Sequence, residues 1–141
     1  MTRRIIVAGT KAFEDYELLK RVLDKMIPDA SADVEIVSGH AEGADLFGEK
    51  YAEERGIKYK VIPADWKGLG RKAGPIRNTW MLDYASEEEP EVIAFWNGTS
   101  KGTVDTIRKA KKRGIKCTVI LYNSESSVRF LMEKPEGLSD L

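Results

Sequence analysis

The stretch "VEIVSGHAEGADLFGEKYAEERGIKYKVI", residues 34–62, decides the fold. An apolar run at 34–37 leads into a polar turn bracketed by Gly39 and Gly43. A helical pattern follows, with Ala44, Phe47, Tyr51 and Ala52 on one face, and Gly56 is placed to end it. A second β-rich run, 59–62, closes the unit. Strand, helix and strand at this spacing make a parallel crossover, which is right-handed in nearly all known cases.

The same alternation runs along most of the chain. Further β-rich runs lie at 4–8, 92–95 and 117–121, giving five in all, and most are apolar on both faces, as strands covered by helices on both sides are. "DYELLKRVLDKMI" places Leu18, Leu19, Val22, Leu23, Met26 and Ile27 on one helical face, and "GTVDTIRKAKKRG" does the same with Val104, Ile107 and Ala110. A shorter helix is expected over 75–85, opening on Pro75, whose missing N–H costs nothing in a first turn. "ERGIKYKVIP" and "KRGIKCTVIL" read as helix, glycine cap and strand twice over, not as a duplication. The expected architecture is a Rossmann-like three-layer α/β sandwich with a five-stranded parallel sheet in the order 3-2-1-4-5. Residues 1–121 form its single domain, and 122–141 form a tail that is either a short docking helix built on Val128, Phe130, Leu131 and Met132 or disordered.

Bulk properties remove several classes of function. The chain has 141 residues, 42% of them hydrophobic, and 23 basic residues balance 23 acidic ones, so net charge gives no argument for nucleic acid or membrane attraction. A short apolar run near the N-terminus lacks the length of a signal segment, and a cytoplasmic location is expected. No run of about 18 apolar residues suggests a membrane span. One cysteine, Cys117, in a strand-like context and one histidine, His40, offer no zinc cluster, so neither metal nor cofactor is expected.

In an open parallel sheet of this order, ligands sit at the carboxyl ends of the strands, near the reversal between strands 1 and 4. That rule selects Gly9 and Thr10; then Ser38, Gly39, His40, Gly43 and Asp45; then the loop from Asp65 and Trp66 to Arg77 and Asn78; and finally Asn97, Gly98, Thr99, Lys101, Gly102 and Thr103. Two of these loops carry glycines four apart just before a helix, which lets backbone N–H groups and a helix N-terminus approach a phosphate. Tight turns with no ligand use glycine in the same way. Neither loop has the spacing of the dinucleotide or P-loop fingerprints. Between 67 and 78 the third loop carries Lys67, Arg71, Lys72 and Arg77 with no acid. Arg77, expected in the first turn of its helix, opposes the helix dipole there, which a bound anion explains; a carboxylate partner, Asp45 or Asp105, is the alternative. Trp66 offers either a stacking face or a wedge against the sheet, Trp80 is expected in the core, and His40 is either surface or site.

Taken in order, Ser-Gly-x3-Gly-Ala-Asp, Pro-Ala-Asp-Trp, Gly-Pro-Ile-Arg-Asn and Gly-Thr-x-x-Gly-Thr-x-Asp resemble the YspA/cpYpsA-related branch of the SLOG superfamily, which also includes DprA/Smf proteins and Lonely Guy phosphoribohydrolases. The resemblance spans residues 4–121. It implies a domain that binds nucleotides or nucleotide-derived ligands such as ADP-ribose-like molecules. By position, it implies a ligand wall of Ser38, Gly39, Gly43 and Asp45, and a phosphate grip of Gly98, Lys101, Gly102 and Thr103, with Arg77 and Asn78 reaching in. If the chain is an enzyme, Arg77 and Asp105 carry the chemistry. Asp105 stands one position early and one methylene short of the Lonely Guy glutamate, and Asn97 replaces that loop's proline-glycine opening.

Three functions follow. The first is a protein that senses or sequesters a nucleotide-like small molecule. The second is an N-glycosidic hydrolase or transferase of nucleotides. The third, by analogy with DprA, is single-stranded DNA binding, for which only the 67–77 loop offers a basic track, so no nucleic-acid partner is expected. A homodimer is expected, with the apolar "VRFLM" as a contact.

Overall fold

The computed structural model describes residues 1–29, 32–122 and the backbone of 128–130. Its elements alternate along the chain as the hydrophobic pattern requires: β1 (Arg3–Gly9), α1 (Tyr16–Met26), β2 (Val34–Ser38), α2 (Ala44–Arg55), β3 (Lys58–Val61), α3 (Trp66–Leu69), α4 (Ala73–Ser86), β4 (Glu89–Trp96), α5 (Lys101–Lys112), β5 (Lys116–Tyr122) and β6 (Val128–Phe130). A 3-10 turn over Gly70–Lys72 joins α3 to α4. The sheet order is β3-β2-β1-β4-β5-β6; the first five strands are parallel and β6 runs antiparallel to β5. Five parallel strands in the expected order are thus present.

Successive residues of a strand face opposite sides of the sheet, and the core divides accordingly. Ile5, Val7, Ile36, Ile93, Phe95 and Ile120 point to one side, where they meet Leu19 and Leu23 of α1 and Tyr51 and Ala52 of α2. Ile6, Ala8, Val37, Val92, Ala94 and Val119 point to the other, against Met81, Leu82 and Ala85 of α4 and Ile107 and Ala110 of α5. Burying strands on both faces explains why four of the five parallel runs carry apolar residues on both faces. The exception is β3, an edge strand whose Lys58, Tyr59 and Lys60 are exposed, charged in the manner that keeps edges from pairing with other chains.

Three details differ from the sequence reading. The helix expected over 75–85 spans Ala73–Ser86, so Pro75 is its third residue, and Arg77 lies in the second turn, where the dipole argument loses its force. Trp80, expected in the core, is 45% exposed, because the stripe of α4 facing the sheet runs through Asn78, Met81, Leu82 and Ala85. Val128–Phe130, for which a short docking helix or disorder is expected, is a strand that pairs with Ile120–Tyr122; Leu131 and Met132 lie outside the described residues.

At the amino ends of the strands the charges are neutralised locally. Arg3 pairs with the buried Glu91 at 2.8 Å, and Arg4 pairs with Glu35 at 2.9 Å while its guanidinium lies over the Tyr84 ring. Cys117, on β5, is buried, and burial pushes its thiol up to about 12, which fits a core residue and not a nucleophile. No helix among the described residues is long and apolar enough to cross a membrane.

Candidate functional site

The carboxyl ends of β1, β2 and β4 and the start of α4 enclose two adjoining cavities. The larger, about 750 Å³, is lined by residues including Lys11, Gly39, His40, Trp66, Arg77, Lys101 and Asp105. The smaller, about 380 Å³, reaches down to Gly9, Thr10, Asp45, Asn97 and Thr103. Lys11, Ala41, Arg77, Asn78 and Gly102 line both, so the two form one crevice at the reversal of strand order.

Besides α4, which continues directly from the 3-10 turn, two helices bring N-termini without side-chain caps to this crevice. The N-cap of α2 is Gly43 and that of α5 is Ser100, and neither position supplies a side-chain cap. By contrast, α1 and α3 are capped by Asp15 and Asp65, whose carboxylates accept the backbone N–H of Leu18 and Gly68. First-turn N–H groups without a side-chain cap are ready to meet an anion. Gly43 is required where it stands: its φ is +83°, and a Cβ there would fall 2.5 Å from the carbonyl oxygen of Thr10. The β2–α2 loop thus runs close against the backbone of the β1–α1 loop.

Arg77 reaches across the crevice and donates Nη1 to the Gly39 carbonyl at 2.7 Å. Gly39 is so close to both Arg77 Nη1 and Asp45 Oδ2 that a Cβ would lie 2.7 and 2.8 Å from them. Among the described residues Arg77 forms no ion pair within 4.0 Å, so neither carboxylate alternative takes the form of a direct bridge. The Arg77 charge is nevertheless felt by Asp45, whose carboxyl burial pushes up to about 7; Glu49 adds to the rise, while Arg77 and the Ala41 and Gly39 N–H groups oppose it. Asp45 therefore holds its proton more readily than a free carboxyl, which suits it to lie beside an anion.

Asn78, buried on α4, donates Nδ2 to Asp105 at 3.0 Å and to the Gly102 carbonyl at 3.3 Å, tying α4 to the first turn of α5. Asp105 is also bridged by Lys109 at 2.8 Å. Two hydrogen-bonding partners already hold the carboxylate in place. Trp66, 54% exposed, covers one side of the larger cavity with its ring edge above Gly74, and the Lys11 ammonium lies 5.9 Å from its ring centre. Its indole face is open to a planar group.

Several expected residues are engaged in contacts of their own, behind the wall, within it or away from it. Ser38 is fully buried, donating to Glu49 at 2.7 Å and accepting the His40 N–H at 3.0 Å. Asp65 serves as a helix cap. Asn97 closes its own loop, its Oδ1 accepting the N–H groups of Thr99 and Ser100. Gly98 and Thr99 line a further hollow of about 740 Å³ beside α5, with Arg108 and Lys111, which shares Lys101 and Asp105 with the larger cavity; of the expected phosphate grip, Lys101, Gly102 and Thr103 line the crevice. Lys67, Arg71 and Lys72 are exposed and line neither cavity; of that basic stretch, Arg77 alone turns inward.

Sequence reasoning missed Lys11 and Glu49. Lys11 directly follows Gly9 and Thr10 in the first loop and was within reach of the strand-end rule. Glu49 is one turn beyond Asp45 on the buried stripe of α2, between Gly48 and Ala52. Two acids at i and i+4 on an otherwise small and apolar stripe were the available signal.

Fold and crevice together define a parallel α/β domain with a cavity lined by Lys11, Arg77 and Lys101 at its strand reversal. The model of the YspA, cpYpsA-related SLOG family matches residues 3–68, and the Gene 61 protein of Mycobacterium phage D29 is 30% identical over 118 residues, covering 80% of this chain and 92% of the relative. The chain belongs to the YspA, cpYpsA-related SLOG family, and membership points to a nucleotide-related function. Among solved structures, the DNA processing protein A (DprA) from Streptococcus pneumoniae superposes with a TM-score of 0.48 at 16% identity; the match covers 99% of this chain and 61% of that one.

Proposed function

We propose that the chain binds a phosphorylated nucleoside or an ADP-ribose-like molecule, acting as a sensor or sequestering protein. The observation that carries this reading is the convergence on one crevice of Lys11, Arg77 and Lys101, two helix N-termini without side-chain caps, and the open face of Trp66. Cations and backbone N–H groups suit phosphates, and an exposed indole suits a base of any identity. The larger cavity is of the size that takes small-molecule ligands.

In this reading the phosphates lie over the first turns of α2 and α5, and the base stacks on Trp66. The family's nucleotide connection supports the ligand class. An N-glycosidase resting on Asp105 is less well supported, because Lys109 and Asn78 already hold that carboxylate.

Melting temperature measured with AMP, ADP-ribose and NAD tests the proposal. A ligand at about a hundred times its Kd adds roughly 2.7 kcal/mol, several degrees for a domain of this size. Absence of any shift across the panel overturns the reading. We further infer a homodimer from the largely apolar run 128–132, checked by light scattering: a monomer mass removes that part.

A further inference from the structure

His40 is built into the crevice in a way that ligand binding alone does not require. It is the one non-glycine residue with positive φ among the described residues, at +61°. Such backbone strain persists where surrounding contacts over-determine it, and it gathers at functional sites. Those contacts are visible. The His40 N–H donates to the Oγ of fully buried Ser38 at 3.0 Å, and Nδ1 meets Glu49 Oε2 at 2.8 Å. Glu49 is itself buried and anchored by the Ser38 hydroxyl at 2.7 Å.

A carboxylate only accepts, so Nδ1 carries the proton and Nε2 of a neutral ring presents its lone pair. The ring is 53% exposed and lines the larger cavity. An imidazole held at one nitrogen by a buried carboxylate, with the other turned to a cavity, is arranged as a general base.

The charges around it select the bond. Lys11, Arg77 and Lys101 share the cavity, and of its carboxylates Asp105 is tied to Lys109 while Glu42 is exposed. This surround favours a transition state that gains negative charge on phosphorus and opposes the positive oxocarbenium ion of glycosidic cleavage. Leaving groups point the same way. A nucleobase needs a proton to depart, whereas a phosphate leaves as an anion, so a base that shares its cavity with three cations suits a phosphoanhydride.

Resting on the nucleotide-binding reading above, we propose that the crevice hydrolyses the phosphoanhydride bond of an ADP-ribose-like ligand, with His40 as general base and Glu49 as its positioning residue. Nε2 takes a proton from water as the water oxygen bonds to one phosphorus. The bridging P–O bond breaks, its electron pair goes to the departing phosphate, and the imidazolium then releases its proton to solvent. One water is consumed, and two phosphomonoesters form.

The test incubates the full chain with ADP-ribose in ¹⁸O-labelled water between pH 5 and 9, with products read by mass spectrometry and binding by melting temperature. Expected are AMP and ribose 5-phosphate in equal amounts, with one ¹⁸O on one of the two phosphates. His40→Asn, a change to a residue type that tolerates the left-handed conformation, lowers kcat by about 10²- to 10⁴-fold and keeps the ligand-induced shift. Glu49→Gln lowers kcat more than it raises KM and keeps the ligand-induced melting shift, because the ring loses the contact that fixes its tautomer and orientation. Melting shift without product leaves binding standing and overturns hydrolysis; neither shift nor product removes both. Adenine release, or a wild-type rate in His40→Asn, overturns the proposed chemistry.

Discussion

Replacing Asp45 with asparagine changes one charge in the interior and nothing in shape, and the consequence depends on pH. Burial raises the Asp45 carboxyl from 3.8 to about 7, the net of desolvation and Glu49 against the pull of Arg77. Between those values the folded protein holds a proton that the unfolded chain has lost. The folded state therefore binds more protons, and stability falls as pH rises through this window, then levels off above pH 7. A shift of about three units corresponds to about 4 kcal/mol, at a slope approaching 1.4 kcal/mol per pH unit. The substituted amide has no charge to lose, so the stability of the Asp45→Asn variant relative to wild type should rise by about 4 kcal/mol from pH 4 to pH 8. Urea unfolding of both proteins across that range measures it, and the loss of the Arg77 attraction enters only where Asp45 is ionised. A flat difference, or one that favours wild type at high pH, would refute the reasoning: Arg77 and the two backbone N–H groups would then outweigh burial.

Removing Arg77 should weaken a phosphorylated ligand more than it destabilises the fold. Arg77→Met is expected to cost about 1.5–3 kcal/mol of binding, as loss of a charged hydrogen-bonding group does, read by titration calorimetry. Trp66→Ala should cost about 1–3 kcal/mol of affinity for base-containing ligands and leave that for ribose 5-phosphate unchanged, since only the stacking face is lost. In the core, Ile93→Ala, at a fully buried position of the central strand β4, should destabilise by about 2–5 kcal/mol in urea at any pH. Gly43→Ala should lower the melting temperature, because both the positive φ and the close Thr10 carbonyl oppose a side chain.

The sheet was legible because its signal is redundant. Strands buried on both faces read as apolar runs, helices between them show a one-sided period, and the right-handed crossover leaves few orders to choose from. Strand β3 departs from that pattern because an edge has only one neighbour, and its residues 58–60 carry polar side chains. Helix α4 starts two residues earlier than Pro75 suggests, because proline fits anywhere in a first turn and does not mark its first residue. The short strand β6 has too few residues for a period to show.

At the site, strand-end loops could be chosen from topology, and Gly39, Arg77, Lys101 and Gly102 do line the crevice. Sequence could not say which side of a loop faces the ligand. Gly98 and Thr99 sit one turn from Gly102 yet open onto another hollow, and Asp65 is drawn off as a cap. Nor could it reveal that Glu49 approaches His40 from nine residues away, since that meeting depends on how α2 seats against β2.

The three residues of β6 matter beyond their size. They occupy the outer edge of β5 at Ile120–Tyr122, part of an apolar strand whose other side is paired to β4. A shortened chain ending at Tyr122 would keep the crevice and most of the core, but it would bare that edge as a template on which a second molecule can add a strand. Its loss would show in solubility and shelf life before it showed in ligand binding, which makes the small strand a guard against aggregation.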